Sequence, residues 1–156
     1  MQEIRASTLK IPSPPNVVTL FVSNNVMDGQ VALNPSFTIS ALPNIPGGAK
    51  SFDLEEFRFG CLAPLAQSAI NVASACGISV TGIKEDGSIA GELTFSFAAT
   101  AVGINANEMS RANVRAQASK GDYTRLKSVN ITITDAVGNA ALGVLLVDNV
   151  RHINRC

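Results

Sequence analysis

Apolar and polar residues alternate along several stretches of this chain with the two-residue period of a β-strand. The clearest stretch is GISVTGIKEDGSIAGELTFSF, residues 77–97. Ile78 and Val80 alternate with Ser79 and Thr81, and Glu85-Asp86-Gly87-Ser88 reads as a turn in which Gly87 can take a positive φ. Ile89, Gly91, Leu93, Phe95 and Phe97 then fall on one face, with Glu92, Thr94 and Ser96 on the other. The pattern predicts a half-buried antiparallel hairpin. LKSVNITITD (126–135) repeats it, with Val129, Ile131 and Ile133 inward and Asn130, Thr132 and Thr134 outward.

Weaker runs fill the remainder. VVTLFV (17–22) predicts a short buried strand. VALNPSFTISAL (31–42) is interrupted by Pro35, which predicts an edge position or a bend, and PNIPGGAK (43–50) a loop. In SFDLEEFRFGC (51–61) the DLEEF segment could open a helical turn. Phe57, Phe59 and Cys61 alternate with Arg58 and Gly60, however, and predict a strand from about 53 to 61. PLAQSAINVASA (64–75) fits either a loop with a helical turn or a poor strand. Residues 98–112 are weakly patterned, NVRAQAS (113–119) alternates like a strand, and KGDYTR (120–125) is a loop. AALGVLLVDNVRHI (140–153) is the most apolar run and predicts a strand covered on both faces. Roughly seven or eight strands without a sustained helical pattern predict an all-β fold, a two-sheet antiparallel β-sandwich with a barrel as the alternative. Residues 1–16, with prolines at 12, 14 and 15, predict an extended lead-in to one domain over 17–156.

Composition narrows the function classes. The 156 residues suffice for one buried core. Only 15% are charged, against about a quarter in ordinary domains, so the surface relies on Ser, Thr, Asn and Gln. Twelve basic residues balance twelve acidic ones and are scattered, which disfavours nucleic acid as a partner. No apolar run is long enough for a membrane-spanning helix, so no membrane insertion is expected. The first sixteen residues hold no hydrophobic signal core, as in a chain that is not exported or one that starts downstream of its leader. The cysteines are Cys61, Cys76 and Cys156. Cys61 and Cys76 flank 14 residues and fit either a short-loop disulfide or two buried thiols, while Cys156 is the odd one out.

The order PSPPNV, SFDLEEFRFGC, CGISVTG, LKSVNITI and LLVDNV is similar to a group of small secreted fungal proteins without an assigned activity. There a PPNV-like segment precedes an FDLxxFxFGC strand, a second cysteine opens a CxIxVxG strand, and LKSV and DNV strands follow. The resemblance covers about residues 12–150. It implies a secreted, jelly-roll-like sandwich with Cys61 and Cys76 matching the paired cysteines of the group. This chain departs from the group at both ends, in the missing leader and first strands and in its stop at Cys156, so an incomplete N-terminus is expected. A sandwich with a terminal DNV strand also resembles galactose-binding-type carbohydrate modules, at the level of fold alone.

Few residues look chemical. His152 lacks a G-x-S-x-G partner motif and reads as a solvated histidine at a strand end. Asp53, Glu55 and Glu56 form an acidic cluster in which Asp53 and Glu55 share a side. Paired carboxylates about 5–10 Å apart hydrolyse glycosides, but a polar strand edge is the preferred reading of the cluster. Asp148, in an apolar strand, reads as buried and hydrogen-bonded, with calcium binding as the alternative. Tyr123 is the single tyrosine in a chain without tryptophan and is a candidate sugar contact. Asn130-Ile131-Thr132 matches the N-glycosylation acceptor, whereas Asn34-Pro35-Ser36 is excluded by its proline. No cofactor motif is present, and no catalytic or metal-binding constellation is expected. The reading is a non-catalytic, secreted structural or interaction protein that meets an extracellular glycan or protein. The alternative is a carbohydrate-binding module of a cell wall or matrix.

Overall fold

The alternating runs become strands. The computed structural model describes residues 9–10, 18–20, 36–41, 48–64, 71–99, 107–136 and 144–155. Their strands are β1 (Leu9–Lys10), β2 (Val18–Leu20), β3 (Ser36–Ser40), β4 (Ser51–Pro64), β5 (Asn71–Ala73) and β6 (Cys76–Lys84). There follow β7 (Ile89–Phe97), β8 (Asn107–Glu108), β9 (Ser110–Asn113), β10 (Leu126–Ala136) and β11 (Val144–Arg155). One 3₁₀ turn, Arg115–Gln117, interrupts them, and the described residues are otherwise all-β, as the periodicity predicts. Most of the predicted N-terminal segment, residues 21–35 with Pro35, the loop from residue 42 through Gly47, and residues 65–70, 100–106, 137–143 and 156 lie outside the described residues.

Nine strands join into one sheet, and β1 pairs parallel with β8 apart from it. β4 is the spine. β11 runs antiparallel along one of its edges, from Arg155 opposite Ser51 to Val144 opposite Leu62, and β2 pairs with the far side of β11. The other edge of β4 is shared by β10 at Phe52, β9 at Glu56–Phe59 and β5 at Leu62–Pro64. A second set is built on β10, which lies between β3 and β6, with β7 beyond β6. The two sets share one ladder position, Leu126 opposite Phe52. At the other end of β4 and β6 the sulfurs of Cys61 and Cys76 lie at bonding distance, 2.00 Å, with Cα atoms 6.2 Å apart.

The core forms between these two ties. Phe57 and Phe59 of β4, Ile78 and Val80 of β6, Leu93 of β7, Ile131 of β10 and Leu145 and Leu146 of β11 are all buried. Each contributes about 1.5–3 kcal/mol by leaving water. Phe57 meets Phe95 edge-on, ring centroids 6.3 Å apart, although β4 and β7 are not ladder partners. Val129, Ile131 and Ile133 are buried as the alternation predicts, and Leu145–Asp148 are buried at four successive positions, the mark of a strand covered on both faces.

Three expectations are corrected. Ile89 is 71% exposed, and Ala90 is buried in its place. Thr81 pairs with Glu92 but Ile83 with Ile89, so β7 carries an extra residue opposite Gly82, and Gly91 takes a φ of 105°. The bulge reverses the facing of everything before it. Residues 113–119 are not one strand: Asn113 ends β9, and its Oδ1 accepts the Ala116 N–H at 3.1 Å, which turns the chain into the 3₁₀ segment. The acidic cluster is not on an open sheet edge throughout either: Glu56 is flanked by β11 and β9, and the Leu54 N–H is taken by the Tyr123 carbonyl.

Candidate functional site

The first half of β4 displays Asp53 and Glu55, with Glu56 next in sequence, at a cavity of about 460 Å³, within the range of small-ligand sites. β4 forms one wall through Asp53, Leu54 and Glu55, and the segment from Val114 to Thr124 forms another. The end of β11 closes it with Ile153 and Arg155. Ile153 is half-exposed and gives the mouth an apolar lip.

A register step builds this end of the sheet. Asp148 pairs with Arg58, Arg151 with Glu56, and His152 with Leu54, so the ladder slips by one residue after Asp148 and slips back after Arg151. Asn149, at φ 49°, makes the first step, and the Asp148 carboxylate accepts its N–H at 2.7 Å. Asparagine tolerates this left-handed conformation better than most residues. The Asp-Asn pair in the last strand is thus a bulge former. Asp148 is buried, in keeping with its structural reading.

The register step brings Arg151 against both glutamates, 3.5 Å from Glu55 and 3.8 Å from Glu56. Arg115 reaches Glu55 at 3.3 Å. Arg111 donates to Glu56 through Nε at 2.8 Å and through Nη2, and this holds the Glu56 carboxyl below its usual range. Asp53 is buried and more tightly held. The Nε of Arg155 donates to its two oxygens at 2.9 and 3.0 Å, Nη2 donates as well, and the Arg125 N–H donates to Oδ1 at 2.9 Å. The Arg155 guanidinium, ahead of the opposing effect of burial, lowers the Asp53 pKa. Asp53 also fixes Arg125, whose φ is 51°. All three carboxylates are therefore paired with arginines. Asp53 and Glu55, the pair considered for glycoside hydrolysis, are thus each engaged by an arginine.

Tyr123 is not a loop platform. It is 5% exposed, and its backbone carbonyl accepts the Leu54 N–H at 3.0 Å, which continues the edge of β4. Its hydroxyl lies 2.5 Å from the Val80 carbonyl and 2.8 Å from that of Gly91, so it can donate to either. Burial pushes the phenol up to about 12. Glycines make the room: a Cβ on Gly121 would lie 2.9 Å from the ring, and one on Gly82 3.3 Å. A ring so enclosed has no free face for stacking on a sugar. Its neighbour Asp122 is paired with Lys84 and bonded to Thr124, which together bring its pKa down to about 2.

The other candidates lie apart. His152 is exposed on β11, edge-on to Phe52 at 6.2 Å. Asn130 is exposed on β10. Among the described residues no three His, Cys, Asp or Glu side chains group as metal ligands, and no helix is long and apolar enough to cross a membrane. Sequence reasoning missed the arginines, Arg155 above all. Its partner lies 102 residues away, and no local pattern announces such a pair. No family model matches the chain, and neither a curated protein nor a solved structure does.

Proposed function

We propose that the chain is a non-catalytic, extracellular interaction protein, a two-sheet jelly-roll-like β-sandwich that engages an extracellular protein or glycan at the cavity beside Asp53. The observation that carries this reading is the pairing of Asp53, Glu55 and Glu56 with Arg155, Arg115, Arg111 and Arg151. It leaves the carboxylates beside the cavity engaged in ion pairs, an arrangement suited to binding. The Cys61–Cys76 bond supports an oxidising compartment. The Phe57–Phe95 contact between unpaired strands supports a face-to-face sandwich.

The second reading, a carbohydrate-binding module, is favoured by the rim of the same cavity. Arg115, 81% exposed, and Asp122 both line it, so donor and acceptor groups face a ligand there together with the apolar Ile153. The test is a binding screen of the full chain against soluble and insoluble glycans and extracellular proteins, with Ile153→Asp as the cavity variant and aryl glycosides as hydrolysis controls. Binding lost in Ile153→Asp at unchanged melting temperature supports the site. Hydrolysis of a glycoside that disappears in Asp53→Asn overturns the non-catalytic reading.

A further inference from the structure

The outward face of β3, β10, β6 and β7 differs in kind from the arginine-rich face around the cavity. Its rows follow from the register. Thr38, Asn130, Thr81 and Glu92 lie side by side across four strands, and Thr132, Ser79 and Thr94 form the next row. Asn130, Thr38 and Thr94 are exposed, and Thr81 and Thr132 are partly so. The one charged side chain in these rows, Glu92, accepts a 2.6 Å hydrogen bond from Ser79. Asn130 sits at the centre with only short hydroxyl side chains beside it.

Two observations meet at that residue. Asn130-Ile131-Thr132 is the one Asn-x-Ser/Thr triplet without an intervening proline in the 156 residues. The fold sets both of its polar side chains on the same open face: Asn130 Nδ2 donates to Thr132 Oγ1 at 3.2 Å, and Thr38 Oγ1 donates to Asn130 Oδ1 at 3.3 Å. Ile131 between them is buried, so the strand alternation itself presents the acceptor amide and the hydroxyl together. We infer that Asn130 carries an N-linked glycan and that this hydroxyl face is the surface it covers.

The inference rests on the extracellular reading above, because the donor, a lipid-pyrophosphate-linked oligosaccharide, belongs to the secretory route. In the transfer the Asn130 amide nitrogen forms a bond to the anomeric carbon of the sugar. The bond from that carbon to the pyrophosphate oxygen breaks, and the amide gives up one proton, so that lipid pyrophosphate leaves in its protonated form. The product would stand on an exposed residue of the folded chain. The nearest side chains across the ladder are Thr38 and Thr81, and a saccharide lying over them exchanges hydrogen bonds with water for hydrogen bonds with hydroxyls.

The test is to send the full chain through a eukaryotic secretory pathway, map the peptide carrying Asn130 by mass spectrometry before and after peptide N-glycosidase, and count free thiols in the same sample. The expected result is one glycan, released with conversion of Asn130 to Asp, lost in Asn130→Gln and in Thr132→Ala, and retained in Thr132→Ser. The wild-type peptide map decides the matter even if a variant fails to fold. A secreted chain with Cys61 and Cys76 bonded but bare at Asn130 overturns the inference and leaves the extracellular reading standing. A chain retained inside the cell with both thiols free overturns that reading and the inference with it.

Discussion

The two strand sets are tied together at both ends, by different chemistry. At one end Cys61 of β4 is bonded to Cys76 of β6. At the other, Leu126 meets Phe52 in the ladder, Asp53 holds Arg155 and the Arg125 amide, and Tyr123 reaches the carbonyls of β6 and β7. The first tie is indifferent to pH and yields to reductant. The second is indifferent to reductant and yields to pH. A fold closed in both ways keeps one end when conditions loosen the other, and each end can be probed alone.

The disulfide should give the largest effect. Its sequence separation of 15 corresponds to about 3 kcal/mol of unfolded-state restriction. Cys61→Ala with Cys76→Ala should lower the denaturant midpoint accordingly, with the pH profile of the remaining stability unchanged. A loss below about 1 kcal/mol would show the polar end to be sufficient by itself. Asp53→Asn comes next. It exchanges charge-assisted hydrogen bonds for neutral ones and should cost about 2 kcal/mol. The Asp53 pKa is lowered in the fold, so its contribution is present above the ordinary value of 3.8 and is lost as pH falls through the folded value beneath it. Asp122, held at about 2, acts in the same sense. Urea unfolding of the wild type should therefore weaken from about pH 4 towards pH 2, and Asp53→Asn should flatten that limb.

Tyr123→Phe should cost about 1–2 kcal/mol, since it leaves the Val80 and Gly91 carbonyls without their hydroxyl donor. The phenol rises from 10.0 to about 12 in the fold, so its contribution is full below pH 10 and disappears as pH climbs towards 12. Tyr123→Phe should abolish that alkaline loss, which absorbance-monitored unfolding reads directly. Arg125→Gly should give the smallest effect and the opposite sign, a gain of up to about 1 kcal/mol in melting experiments, because φ 51° strains any residue with a side chain. A loss on that substitution would mean that the arginine side chain outweighs the strain.

Strands whose pairing is regular were legible in the sequence, and positions set by irregular pairing were not. The middle of β10, from Ser128 to Ile133, and the part of the hairpin beyond the bulge read directly from alternation because Val129, Ile131, Leu93 and Phe97 keep a strict period. Ile89 was misplaced because the bulge at Ala90 and Gly91 shifts the phase, although Gly82 and Gly91 inside strand patterns are the mark that such a bulge leaves. Residues 113–119 alternate by chance, and one Asn113 side-chain bond overrides the pattern. At the candidate site the acidic residues were visible and their partners were not. Arg111, Arg115, Arg151 and Arg155 reach β4 from β9, the 3₁₀ segment and β11, and only the folded register makes them neighbours. Tyr123 gave the same difficulty: a loop tyrosine becomes a buried bridge through glycines at 82, 91 and 121, which no local reading connects.

The bulge in β7 bears on self-assembly. β7 stands last in the strand order, where a straight strand would offer its amides and carbonyls to the next copy of the chain. The extra residue kinks it, and the 121–123 segment folds over the kink: the Asp122 N–H donates to the Ala90 carbonyl at 3.0 Å, and the Tyr123 hydroxyl sits at that of Gly91. Two backbone acceptors at the bulge of this strand are thereby occupied from within the chain. A kinked last strand is a poor template for a second copy of the chain.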